Sequence, residues 1–239
     1  AFKKDDPWAI LSPIEQSIKA KIEAVGTPLR DWDIQINYGV KTGLNEAFII
    51  DGAKRDELVK KDPKSAEIIR PILRGKDIKR NSYSFSDQYV ILAYFGSHKV
   101  IPEEYPAIYE WLKQFEEKLK KRGQCRYTSS GKPNPKAEYP GQHHWLELDN
   151  NPRQEYMDDF SRQKILYREI SDKMDAVLDN DGYFVNNKCY LITGEYLRFL
   201  CGFLNSKMFD VVLKQVNTTG GKGPEFMKSL AVHKPSGND

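Results

Sequence analysis

The stretch Ile34-Gln35-Ile36-Asn37-Tyr38-Gly39-Val40-Lys41-Thr42-Gly43-Leu44-Asn45-Glu46-Ala47-Phe48-Ile49-Ile50 sets the expectation for the fold. Ile34, Ile36 and Tyr38 alternate with polar residues, the period of a strand buried on one face. Ala47-Phe48-Ile49-Ile50 is a short apolar run of the buried-strand kind. The residues between them carry Gly39 and Gly43 and read as a tight loop.

Upstream, Ser12-Pro13-Ile14-Glu15 is a capping box with proline at the first helical position, so a helix is expected over about 12–26. Its Ile14, Ile18, Ile22 and Val25 form one stripe, which predicts packing on a neighbour. Downstream, Asp62-Pro63-Lys64-Ser65 opens a predicted helix carrying Ile68, Ile69, Ile72 and Leu73, with Gly75 as its stop. Tyr89 to Phe95 reads as an apolar strand. Pro102 to Lys121 is the longest helical pattern, with Tyr105, Ile108, Trp111 or Leu112, Phe115 and Leu119 on its buried face. Gln163 to Ile170, Tyr183 to Val185 and Lys188 to Thr193 read as strands. Residues 195–216 read as C-terminal helices with a break near Asn205-Ser206, followed by a glycine-rich loop over Thr218–Pro224. Strands and helices mix without a βαβ rhythm. The expected class is α+β: a mixed, mainly antiparallel sheet core with packed helices. One domain over 1–239 is expected, as a part of a larger protein, since the chain opens on Ala1-Phe2-Lys3-Lys4.

The 239 residues hold 37 Lys+Arg and 34 Asp+Glu, so the formal charge is only +3. No apolar run approaches the roughly 18–20 residues that span a bilayer. No basic-then-apolar leader opens the sequence, and a cytoplasmic, membrane-free protein is expected. Cys125, Cys189 and Cys201 are odd in number and have no C-x-x-C spacing, which disfavours a disulfide framework or a structural zinc site.

The charge is uneven. Residues 118–136 hold Lys118, Lys120, Lys121, Arg122, Arg126, Lys132 and Lys136 and no acid. Residues 71–80 hold Arg74, Lys76, Lys79 and Arg80 against Asp77. Such stretches are what a nucleic-acid surface needs, because bases neutralise phosphates while amides and planar side chains reach base edges. A solvated face and a basic loop over about 122–140 is the plainer reading. Tyr139-Pro140-Gly141-Gln142-His143-His144-Trp145 is the densest cluster of recognition-type side chains. Adjacent residues on a strand point to opposite faces, so His143 and His144 are poor joint metal ligands. Base-reading candidates are Arg126, Tyr127, Gln142, His143 and His144; phosphate candidates are Lys41, Thr42, Lys76, Lys79, Arg80, Lys121, Arg122 and Lys222.

Reaction-centre motifs are missing. Asn134-Pro135 is followed by Lys136-Ala137 and Asn151-Pro152 by Arg153-Gln154, so neither forms the Asn-Pro-Pro-Tyr loop that handles a flipped base amine. Gly220-Gly221-Lys222-Gly223 follows a helical pattern and lacks phosphate-loop spacing. Glu116-Glu117-Lys118 lies on a helical pattern with no preceding Pro-Asp. No Gly-x-Ser-x-Gly elbow exists. The sequence offers a binding surface, and no catalytic residue or metal site is expected.

Leu29-Arg30-Asp31-Trp32, Asn37 to Ile50, Ile72-Leu73-Arg74-Gly75-Lys76-Asp77-Ile78, Lys188-Cys189-Tyr190-Leu191-Ile192 and Leu204-Asn205-Ser206-Lys207 occur in that order. Together they resemble the TaqI-like C-terminal specificity domain, over roughly residues 12–235. The resemblance implies a target-recognition module of adenine-specific DNA methyltransferases or of restriction enzymes that also methylate. It implies double-stranded DNA as partner, read in the major groove. It also implies a methyltransferase domain on the same parent chain that holds S-adenosylmethionine, with no cofactor in this part. An endonuclease activity of the parent stays open. Two other readings stay open on the residues alone: a protein-docking scaffold, and a single-strand binder that stacks bases on Tyr127, Tyr139 and Trp145.

Overall fold

The computed structural model describes residues 12–126, 143–150, 152, 154–169, 173–216 and 222–235. Eight strands build its two larger sheets: β1 (Ile34–Tyr38), β2 (Ile49–Asp51), β3 (Ile69–Leu73), β4 (Gln88–Ile91), β5 (Lys164–Arg168), β6 (Ala176–Asp179), β7 (Phe184–Val185) and β8 (Cys189–Gly194). The first sheet has the order β1-β8-β5-β6 and is antiparallel throughout. The second has the order β7-β3-β4-β2; only β7–β3 is parallel. The class is α+β, as expected.

Period-2 alternation divides the first sheet between two cores. Leu166, Val177, Cys189 and Leu191 join the second sheet and the helices Gly52–Lys61 and Pro106–Lys113 in one core. Ile36, Ile165, Tyr167, Tyr190 and Ile192 join the helices Leu197–Leu204 and Lys207–Val216 in the other. A strand buried on both faces has no solvent side, which is why β5 and β8 read as continuous apolar runs. At the end of β5, Lys164 and Asp179 pair at 2.5 Å with no exposed surface. The Phe160 carbonyl also accepts from Lys164, and the Asp181 and Tyr183 amides donate to Asp179. The buried charges are therefore paired and hydrogen-bonded.

Several sequence expectations hold. The first helix is Pro13–Val25, with both halves of the Ser12–Glu15 capping box formed. The C-terminal helices break at Asn205-Ser206. There the Asn205 amide accepts from the Ala176 N–H and donates to its carbonyl, so a side chain completes the edge of β6.

Others are corrected. The helix expected from Asp62 is a 3₁₀ turn, Pro63–Glu67, followed by β3. Pro71 lacks the N–H a helix interior needs, and the isoleucines of 68–72 fit a pleated surface better. Ala47 and Phe48 belong to a one-turn helix, Asn45–Phe48, and only Ile49–Asp51 is strand. The long helix is three pieces, Ile101–Glu104, Pro106–Lys113 and Glu116–Lys120, because Pro106 cannot continue the first. The first helix packs little: Ile14 and Val25 are 73% and 64% exposed, although Ile18 and Ile22 are half-buried. Most of the expected basic loop, 127–140, and residues 218–221 of the glycine-rich loop lie outside the described residues.

Past Tyr38, the chain leaves the first sheet and joins the second. The Gly39 amide donates to the Cys189 carbonyl at 2.9 Å, and the Val40 amide to the Val185 carbonyl at 2.8 Å. A Cβ on Gly39 would lie 2.3 Å from the carbonyl oxygens of Val185 and Asn186. Only glycine fits this crossing. Gly39→Ala is expected to cost at least about 1–3 kcal/mol through overpacking. Urea denaturation checks this, and an unchanged midpoint would contradict the crossing geometry.

Candidate nucleic-acid interface

One end of the first sheet gathers basic residues from separate parts of the sequence. β1 delivers the Gly39–Gly43 loop there. The turn before β8 places Lys188 beside it, where the Asn187 amide bonds the Val40 carbonyl at 3.0 Å. Arg168 sits opposite Cys189 in the ladder. The 3₁₀ turn Gly75–Asp77 packs onto both: a Cβ on Gly75 would make ordinary contact with Cys189 Sγ at 3.7 Å and Arg168 Cγ at 3.8 Å. Lys76, Lys79 and Lys188 are exposed, and no described carboxylate forms an ion pair with them. Three others in this region are neutralised: Lys41 pairs with Asp149 at 2.9 Å, Arg168 with Asp175 at 3.1 Å, and Arg80 with Asp210 at 3.3 Å.

Asp77 makes the Gly75–Asp77 turn rigid. Its buried carboxylate accepts from the Arg74 amide at 2.8 Å, Arg74 Nε at 3.2 Å and Ser86 Oγ at 3.2 Å. Beside the Gly39–Gly43 loop lies a groove of about 740 Å³, lined by Asn37, Tyr38, Lys41, Asn150, Glu155 and Arg162 among others. Tyr38 is 44% exposed there, and its hydroxyl accepts from Asn150 Nδ2 at 3.3 Å.

The stretch from Lys118 is less available than its +7 count implies. Lys118 pairs with Glu46 and Lys120 with Glu116. Arg122, expected at a phosphate, is 9% exposed. Its guanidinium donates to the carbonyls of Leu119, Thr42, Trp145 and Glu147 at 2.8–3.1 Å. Its place is structural because every nitrogen is consumed by backbone oxygens. Lys121 and Arg126 are exposed. Thr42 is buried, its hydroxyl 2.6 Å from Asn45 Oδ1, and Lys222 is 7% exposed; neither side chain stands open as a phosphate contact.

His143 does not suit the base-reading role proposed for it. It has no exposed surface, and it pairs in a parallel bridge with Cys125. Its ring nitrogens lie 3.0 Å from Asp149 Oδ1 and 2.9 Å from the His144 carbonyl oxygen. Both partners can only accept, so the ring carries both protons. Burial by itself would lower the His143 pKa. The bonds to Asp149, to Cys125 and to the carbonyl outweigh that and push it up to about 9. His144 is half-buried and stacks on His98 at 4.5 Å, and burial with the neighbouring His98 pushes it down to about 4. Of the remaining base-reading candidates, Arg126 is exposed, while Tyr127 and Gln142 lie outside the described residues.

Lys188, Arg168, Tyr38 and Asn150 were not singled out from sequence. Lys188 and Tyr38 stood within quoted motifs but looked like strand flanks; only the pairing brings them to one end. Among the described residues, no three His, Cys, Asp or Glu side chains are grouped to hold a metal ion. No described helix is long and apolar enough to cross a membrane.

Residues 70–230 match the family described as the TaqI-like C-terminal specificity domain. Among solved structures, the chain is similar to the type IIL restriction-modification enzyme MmeI in complex with DNA. That match has 17% identity and a TM-score of 0.50, covering 77% of this chain and 22% of that one. It is also similar to the type IIG restriction endonuclease BpuSI, with 12% identity and a TM-score of 0.51, covering 92% of this chain and 25% of that one. The chain thus spans about a quarter of the length of either structure. No curated protein sequence matches it.

The His143 imidazolium has a pH signature. Its folded pKa of about 9 lies above the ordinary 6.5, so its stabilisation is complete below pH 6.5 and lost as pH rises through 9. Stability is expected to fall by up to roughly 1.4 kcal/mol per pH unit across that window from this group. An NMR titration of the His143 ring checks the assignment; a midpoint near the ordinary value would contradict it.

Proposed function

Because this chain belongs to the TaqI-like C-terminal specificity domain family, we propose that it recognises duplex DNA for a restriction-modification protein several times its length. In this proposal the parent is an adenine-specific DNA methyltransferase, with or without a nuclease, and the chain reads its target in the major groove. The observation that supports it is the meeting of the Gly39–Gly43 loop, the Gly75–Asp77 turn and Lys188 at one end of the first sheet. These segments are far apart in sequence, and together they present Lys76, Lys79 and Lys188 without carboxylate partners among the described residues.

Lysines on tight turns act as point charges and hold phosphates. Arg126 remains a proposed base reader, as do Tyr127 and Gln142, which lie outside the described residues, with Lys121 as a further phosphate contact. In this reading S-adenosylmethionine is held by the methyltransferase domain, outside this chain. The chain's own part is to position the duplex so that the right adenine is presented.

Duplex binding is expected to weaken with salt, with a slope of about −4 to −5 in log affinity against log salt if about five bases meet phosphates. Lys76→Ala and Lys79→Ala should each weaken binding to all duplexes alike and reduce that slope by about one unit. Fluorescence anisotropy at several salt concentrations checks this. A flat salt response would rule out the electrostatic reading and leave the docking alternative. Preference for single-stranded competitor would favour the stacking alternative.

A further inference from the structure

Ser84 to Asp87 form an exposed loop between the strands Ser82–Tyr83 and Gln88–Ile91. It is fixed to the basic turn before it. The Ser84 amide donates to the Asp77 carbonyl at 2.9 Å, Ser86 Oγ donates to the Asp77 carboxylate at 3.2 Å, and Arg74 Nη2 donates to Ser86 Oγ at 2.8 Å. The short hairpin Ile78–Lys79 with Ser82–Tyr83 closes the same unit, setting Lys79 opposite Ser82. Lys76, Lys79 and Phe85 are therefore exposed on one braced unit.

Phe85 is 36% exposed. Its ring is oriented from behind by Tyr89, edge-on at 5.5 Å and 89°, and by Tyr183 at 5.3 Å. Tyr183 in turn packs on Tyr83 at 5.0 Å, and the Tyr83 hydroxyl is committed to Asp181. An apolar ring so supported has a fixed direction, and much of its surface still meets water. Burying that surface against a partner is favourable, at about 25 cal/mol per Å². Carried on the same unit as Lys76 and Lys79, which form no ion pair with a described carboxylate, it suits a partner that offers apolar atoms next to anionic ones. Duplex DNA does so: base edges, including the thymine methyl, lie between rows of phosphates.

We propose that Phe85 is a specificity-determining contact, packing against base edges in a groove of the duplex while Lys76 and Lys79 hold the adjacent phosphates. This rests on the reading of the chain as a DNA-recognition module, and it assigns to the 74–87 unit a second role beyond positioning. Phe85 carries no charge, so its contribution is independent of counterion release, unlike that of the lysines.

The test uses the intact chain, with wild type, Phe85→Ala and Phe85→Leu. The wild type first selects its preferred site from a random duplex pool. On that site Phe85→Ala is expected to bind about tenfold or more weakly, as for loss of a buried aromatic contact, with the salt slope unchanged. Phe85→Leu, which keeps apolar bulk, should retain most of the affinity. Repeating the selection with Phe85→Ala should relax preference at one or two adjacent positions and leave the rest. Phe85→Ala is expected to melt somewhat lower than the other two, having lost its ring contacts with Tyr89 and Tyr183, so binding is compared at a temperature where all three are folded. The proposal is overturned if Phe85→Ala selects the same sequence with the same affinity. It is also overturned if the loss comes with a shallower salt slope, or if Phe85→Leu loses as much affinity as Phe85→Ala. If the wild type shows no salt-dependent duplex binding, the DNA-recognition reading falls as well; if it does and Phe85→Ala is unchanged, only the contact falls.

Discussion

The guanidinium of Arg122 is the interaction on which the site's framework depends. It binds carbonyls of Leu119, Thr42, Trp145 and Glu147, and lies 5.4 Å from the centre of the Phe48 ring. Three chain segments with no regular secondary structure in common meet at this one cation. Removing it would take a donor from all four oxygens, and each unmet buried acceptor costs about 1–3 kcal/mol. Lysine cannot substitute, because a single ammonium cannot fan out to four fixed acceptors as a planar fork of five N–H donors does. The same joint fixes Gly43, whose φ of 69° is one that L side chains rarely adopt and where a Cβ would lie 2.8 Å from Arg122 Cδ.

Around this joint the charges sort into two populations. One is consumed internally: Arg122 on carbonyls, the His143 imidazolium on Asp149, Lys164 on Asp179. The other stands on turns and forms no ion pair with a described carboxylate, as with Lys76, Lys79 and Lys188. The first population shapes the second. Asp149 is held by His143 and Lys41 together, with its pKa lowered to about 2, and this fixes the loop that carries Lys41. Cations spent on backbone oxygens leave the surface field to residues that net charge, and even local charge counts, do not single out.

This sorting explains what the sequence disclosed and what it hid. Local rules read well where the cause is local: the Ser12–Glu15 box, the alternation of Ile34, Ile36 and Tyr38, and the break at Asn205. They failed where partners are distant. Ile68 to Leu73 has the spacing of a helix, but Pro71 and the pairing with Gln88–Ile91 make it a strand. Arg122 and His143 have the chemistry of DNA contacts. Only the 80-residue separation from Thr42 and the approach of Asp149 reveal that their hydrogen bonds are already used. Phe85 stands in the alternation Ser82-Tyr83-Ser84-Phe85-Ser86, which does not tell an exposed ring from a buried one. The resemblance carried by the short motifs was more durable than the assignment of individual side chains, since motifs such as Gly75-Lys76-Asp77 encode backbone geometry.

The first sheet has a further consequence as a wall shared by two cores. Odd and even positions of β5 and β8 report to different sides: Leu166 and Leu191 to one, Ile165 and Ile192 to the other. Opening the helical layer Leu197–Leu204 and Lys207–Val216 would therefore bare one face of these strands while the second sheet still covers the opposite face. Amide protons of β5 and β8 are sheltered by both layers, so they are expected to exchange slowest. The surface that gathers the lysines is attached to the end of that wall. Its geometry is therefore tied to strands that are covered on both faces.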